Sequence, residues 1–188
     1  MCHDFGGLSP LKHKQEYPPL LPQGFHPLSM DELRELCVAN FPESTVRANL
    51  MAGLEAICER ALALRIRGDV WIDGSFLTQK IDPGDIDFVL LIDQAFYEDG
   101  TQEQNEFIEW LISNEDDPKK AFLCHTDVVL MYPADSSLRH ITVDTMRHWE
   151  ERVYGYSVGT HEPKGIVVVG LEPPPIAKEE PAESEVSK

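Results

Sequence analysis

Helical and strand periods alternate along the middle of this chain without the evenly spaced crossovers of a doubly wound sheet, and that alternation predicts an α+β fold, a mixed α/β arrangement of one sheet packed against helices. Two observations carry the prediction. Between residues 44 and 64, Val46, Leu50, Leu54, Ile57, Cys58, Ala61 and Leu64 recur at spacings of three and four, the stripe of a helix that buries one face. Beyond it, apolar runs at 70–73, 85–92, 123–131 and 166–169 are too short for core helices and are bounded by Gly, Asp and Pro, as strands are.

The elements follow in order. Residues 1–27 mix Gly, Pro and charge, including Pro18, Pro19 and Pro22, and show no period, so an extended N-terminal arm is expected. The folded domain is expected over 28–171. Ser29 followed by Glu32 is a capping-box pair, and it opens a short helix through Leu33, Leu36 and Cys37 that Pro42 closes. The striped helix runs from 44 to Gly68, which ends it. Strands at 70–73 and 85–92 come next, then a helix over 102–114 with Phe107, Ile108, Leu111 and Ile112 inward. A strand at 123–131, a helix over 142–152 and a last strand at 166–169 complete the domain. The tail, 172–188, is acidic and proline-rich, a composition that cannot bury enough apolar surface to order itself.

Composition narrows the function classes. A chain of 188 residues with 42% hydrophobic and 26% charged residues is that of an ordinary globular protein with room for one sizeable core. Its net charge of −17 repels phosphate backbones and anionic lipid unless a local basic patch intervenes, which disfavours non-specific nucleic-acid binding. Cys2, Cys37, Cys58 and Cys124 have no metal-ligand spacing and read as reduced thiols. The N-terminus shows no apolar signal core, and no apolar run approaches the roughly 18 residues a membrane span needs. A cytoplasmic protein with no membrane partner is the expectation.

The stretch "VWIDGSFLTQKIDPGDIDFVLLID" concentrates the chemistry. Side chains two apart on a strand share a face, so Asp85 and Asp87 project together while Ile86, Phe88 and Leu90 face the opposite layer. Like charges so placed need a cation, and an oxygen-donor half-site of this kind suits Mg²⁺ or Mn²⁺. Asp127 interrupts the apolar run in "LCHTDVVLMYP", where an unpaired carboxylate is costly; a third ligand aimed at the same metals would explain it. Gly74 and Ser75 end a strand, and the exposed N–H groups and hydroxyl of such a turn can hold a triphosphate. Asp73 and Asp82 are expected in turns or on the surface, and Asp93 as a cap after its strand.

These residues resemble the Gly-Ser, spacer, Asp-x-Asp pattern of the polymerase-β-like nucleotidyltransferase superfamily, with Asp127 matching the third carboxylate on a later strand. The resemblance spans 70–131, and the chain's length is similar to that of minimal, single-domain bacterial members of unassigned activity. It implies a small nucleotidyltransferase-type mixed sheet, Mg²⁺ bound by Asp85, Asp87 and Asp127, Asp127 acting as or orienting the general base, and Gly74 and Ser75 on the phosphates of an NTP. Many members carry Ala-Arg-Gly after the turn. This chain has Leu77, Thr78, Gln79 and Lys80 instead, which makes Lys80 the nearest substitute for the arginine.

The implied reaction moves a nucleoside monophosphate from an NTP to an acceptor hydroxyl and expels pyrophosphate. On so acidic a chain a protein side chain or a small molecule is the favoured acceptor; an RNA end guided by Lys80, Lys119, Lys120 and Lys164 is the alternative. A second function class is a non-catalytic partner, such as the antitoxin-like half of a defence module. The acids between Asp93 and Asp117 read as a solvated helix face, with docking of a basic protein as the sharper alternative. His125 shares a face with Asp127 and reads first as a hydrogen-bonded structural histidine. Trp149, Tyr154 and Tyr156 either stack a base or close the core.

Overall fold

The computed structural model describes residues 17–113, 118–148 and 163–173. Five strands, β1 (Gly24–Pro27), β2 (Gly68–Asp73), β3 (Ile86–Asp93), β4 (Cys124–Met131) and β5 (Gly165–Leu171), form one mixed sheet in the order β1-β5-β2-β3-β4. β2 runs antiparallel to both β3 and β5, while β1 pairs with β5, and β3 with β4, in parallel. The fold is α+β.

Helices α1 (Met30–Arg34), α2 (Arg47–Ala63), α3 (Ala95–Glu98), α4 (Gln102–Ile112), α5 (Pro118–Phe122) and α6 (Arg139–His148) complete the described structure. The capping box at Ser29 is formed: the Glu32 N–H donates to Ser29 Oγ and Ser29 N–H to the Glu32 carboxylate, which holds the Glu32 carboxyl below its ordinary range. A second box, Thr101 with Gln104, starts α4. α1 runs on into one wider turn over Glu35–Ala39.

Alternation along the strands sorts the core into two layers. Val70, Ile72, Ile86, Phe88, Leu90, Ile92, Val167, Val169 and Leu171 face the helices, where Leu50, Leu54, Ile57 and Ala61 of α2 and Phe107, Ile108 and Leu111 of α4 meet them. The opposite face carries a smaller cluster of Trp71, Val89, Leu91, Val129 and Ile166, with Met146 of α6 against it. On that side Phe25 packs its ring 4.7 Å from that of Trp71. Among the described residues no helix is long and apolar enough to cross a membrane.

Three features differ from the sequence expectation: the strand at 24–27, the two short helices, and Ile112, expected inward but 50% exposed. Residues 24–27, read as part of an extended arm, form an edge strand instead; the Gly and Pro that hid it are tolerated because an edge strand has one unpaired side. Residues 18–21 lie across the domain, with Pro18 O accepting from the Gln79 N–H at 2.8 Å and the Leu20 N–H donating to Leu77 O at 2.9 Å. The short helices α3 and α5 were not anticipated, being too brief to show a period. The first sixteen residues and the tail from 174 lie outside the described residues, as do Trp149, Tyr154 and Tyr156.

Candidate active site

One edge of the sheet gathers the C-terminal end of β2 and the N-terminal ends of β3, β4 and β5, because β2 is antiparallel to its neighbours. Register puts Asp73 opposite Asp87, Asp87 beside His125, and Val89 beside Asp127. All four polar side chains belong to the face away from α2 and α4. Asp85, one residue before β3, shares the parity of Asp87. His125 Nδ1 lies 3.2 Å from Asp87 Oδ1, with the imidazole 63% exposed.

Gly74 brings the turn after β2 against the Asp87 carboxylate. Its φ of +80° belongs to the region that side chains avoid, and a Cβ there would stand 2.1 Å from Asp87 Oδ2. The turn and the Asp87 carboxylate are therefore in contact, and only glycine permits it. Ser75–Leu77 forms a single 3-10 turn, closed by Thr78 Oγ1 donating to Ser75 O at 2.8 Å.

Burial shapes the electrostatics. Asp73 is buried, and burial pushes its carboxyl above the ordinary range although Lys164 and the Gly74 N–H favour its anionic form. Lys164 Nζ stands 2.7 Å from Asp73 Oδ1, both side chains being less than a tenth exposed. Burial likewise raises Asp127, with His125 pulling the other way. Cys37, Cys58 and Cys124 are free, buried thiols pushed up to about 12, so they are inert as nucleophiles at neutral pH.

The loop after Ser75 is gripped from beneath by Arg47, a fully buried residue at the start of α2. Its Nε donates to Ile81 O at 3.1 Å, Nη1 to Cys37 O at 2.9 Å and Phe76 O at 2.8 Å, and Nη2 to Thr78 O and Lys80 O at 2.7 Å each. The guanidinium also sits 3.8 Å from the centre of the Phe41 ring. Burial lowers the Arg47 pKa, while the nearby Cys37, Asp82 and Glu43 pull it the other way.

Residues 13–170 match the profile of a family of unknown function, DUF6932. The chain belongs to that family. No curated protein and no solved structure matches it.

Of the residues singled out in the sequence, Asp87 and Gly74 are in contact, and Asp127 lies one diagonal step from Asp87 across the β3 and β4 pleat. Asp85 and Asp87 are both half-buried and both act on the Cys124 thiol. Oxygen donors on an open face suit a hard divalent cation. Among the described residues, however, no three His, Cys, Asp or Glu side chains are grouped so as to hold a metal ion, and Asp87 leans on His125. Ion uptake would require Asp87 to exchange that contact. Lys80 is half-buried, with its carbonyl bound by Arg47.

Three residues of this DUF6932 member correct the sequence reading or were missed by it. Asp73, expected in a turn or on the surface, is a buried strand end paired with Lys164, and Lys164, expected in a basic patch that guides an RNA end, is buried in that pair. Arg47 carried a signal, since it falls in line with Leu50, Leu54, Ile57 and Ala61 on the buried stripe, an unusual position for a cation. Asp82 is exposed and accepts from Ser44 Oγ and the Thr45 N–H. Asp93 caps the entry to α3, accepting from the Ala95 N–H at 2.9 Å. Asp93, Glu98, Asp99, Glu103, Glu106 and Glu109 are exposed; the acids at 115–117 lie outside the described residues.

Proposed function

We propose that this chain is a Mg²⁺-dependent nucleotidyltransferase of the polymerase-β-like kind, which transfers a nucleoside monophosphate from an NTP to an acceptor hydroxyl. The observation that supports it is the contact between Gly74 and Asp87, which sets the Gly-Ser turn against the Asp87 carboxylate, with Asp127 one diagonal step away on the same face. Bound Mg²⁺ would lower the pKa of the acceptor hydroxyl and neutralise the triphosphate. Asp85, Asp87 and Asp127 are the residues that would hold it. The Ser75 N–H and hydroxyl receive the phosphates at the turn that Gly74 opens, with Lys80 supplying positive charge from the rim. Asp127, whose burial makes it more basic than an exposed aspartate, takes or orients the acceptor proton. A protein side chain or small molecule is the favoured acceptor, because the acids exposed on and around α3 and α4 repel a long nucleic acid. The buried free thiols suit a reducing compartment, and we place the chain in the cytoplasm.

The contact of Asp87 with His125 favours a second reading, a non-catalytic copy that binds nucleotide or a basic protein. Incubation with Mg²⁺, labelled NTPs and a panel of acceptors separates the two. Pyrophosphate release that disappears in Asp85→Ala and Asp87→Ala supports transfer. Nucleotide binding without release, for every NTP and acceptor, favours the partner.

A further inference from the structure

The Asp73 and Lys164 pair is not explained by stability. Both charges are buried, 6% and 7% exposed, and a buried ion pair of this kind is commonly no more stabilising than apolar side chains of similar volume. Its place in the fold is informative. Asp73 is the last residue of β2, directly before Gly74 and directly opposite Asp87. Its carboxylate takes the Lys164 ammonium on one side and the Gly74 N–H on the other. Gly74 in turn lies against the Asp87 carboxylate, 2.1 Å from Oδ2 to the position a Cβ would occupy.

Lys164 is itself held from behind. The next residue, Gly165, donates its N–H to Leu21 O at 3.1 Å, and a Cβ there would stand 2.6 Å from Pro22 O and 2.7 Å from Leu21 Cβ. The segment over 20–22 and the start of β5 thus fix the backbone from which the ammonium projects.

We propose that Asp73 and Lys164 are positioning residues, a buried pair that fixes the Gly74 turn and through it the Asp87 carboxylate in the orientation that binds a divalent cation. The role deepens the proposed function and rests on it for the identity of the ligand. It does not rest on it for the position of Asp87.

The test uses the double variant Asp73→Leu/Lys164→Met beside the single Lys164→Met. The single variant strands a buried carboxylate and is expected to melt well below wild type or fail to fold. The double variant removes a neutral unit, so it leaves the net charge near the site unchanged, and its apolar pair keeps the fold. Two measurements are made on it. Titration with Mn²⁺ is expected to show at least a tenfold loss of affinity at a melting temperature within a few degrees of wild type. A crystal structure is expected to show Asp87 displaced from Gly74 and from the 3.2 Å contact with His125. Wild-type Mn²⁺ affinity with Asp87 unmoved overturns the proposal. If wild type takes up no Mn²⁺, the metal reading fails by itself, and the position of Asp87 in the double variant still decides: displaced, it supports the positioning role; unmoved, it overturns it.

Discussion

Replacing Arg47 tests how the loop after Ser75 is held. The guanidinium donates to five carbonyl oxygens, those of Cys37, Phe76, Thr78, Lys80 and Ile81. Arg47→Met keeps much of the volume and removes every donor. The carbonyls of Cys37, Phe76 and Thr78 are buried where the fork meets them, and each orphaned acceptor costs about 1–3 kcal/mol. Relief from burying a cation offsets part of that, leaving a net loss of about 3–5 kcal/mol, as when one side of a buried charged network is removed. At about 2–4 °C per kcal/mol for a domain of this size, the melting temperature falls by about 10–15 °C. Arg47→Lys decides the mechanism: it restores the charge but not the fork, reaches at most two or three of the carbonyls, and recovers less than half of the loss. Thermal melts of the three proteins, with amide exchange at Thr78 and Gln79 as the local readout, make the comparison. An Arg47→Lys protein that melts with wild type and protects those amides equally would refute the argument that bidentate geometry holds the loop.

Asp127→Asn is expected to be as stable as wild type or more so without metal, to gain less from added Mg²⁺, and to lose most transfer while still binding NTP; marked destabilisation with activity retained would sink its catalytic role. The pH dependence follows from the same burial: with folded-state pKa values raised above the ordinary 3.8, Asp127 and Asp73 bind protons more tightly when folded, so they favour folding below that range and lose the contribution as pH rises through their folded values. Denaturant titrations over mildly acidic pH should show a shallower fall of stability with rising pH in Asp127→Asn than in wild type. Gly74→Ala meets both a positive φ and the Asp87 carboxylate; it should cost about 1–3 kcal/mol in strain and abolish any stabilisation by Mn²⁺, whereas an unchanged melt and metal response would separate the turn from the site. Lys80→Ala should weaken NTP binding more than metal binding, and calorimetry showing unchanged NTP affinity removes Lys80 from the site.

What the sequence disclosed was what local period controls. The stripe on α2, the apolar strands and the shared parity of Asp85 and Asp87 depend on spacings of two to four residues, and they stand in the structure with their boundaries shifted by a few positions. What it concealed depends on register between distant segments. β1 is a strand only because β5, far along the chain, offers its edge in parallel. Asp73 looks like a turn residue because Gly74 and Ser75 follow it, and nothing near it says that Lys164 will arrive beside it when β5 pairs with β2.

The two concealed cations share a destination. In a chain of net charge −17, Arg47 and Lys164 are the buried cations among the described residues, and they bind the segments on either side of the Gly74 and Ser75 turn. Lys164 fixes the residue before it, and Arg47 fixes the carbonyls after it. Each loses hydration in reaching that position, and apolar side chains would fill the same space without that loss. A turn that served only to reverse the chain would have no use for either. A turn that must keep its N–H groups and its glycine against a carboxylate, at a separation that leaves no room for a methyl group, needs its backbone fixed from both sides; that requirement gives both buried charges one physical reason.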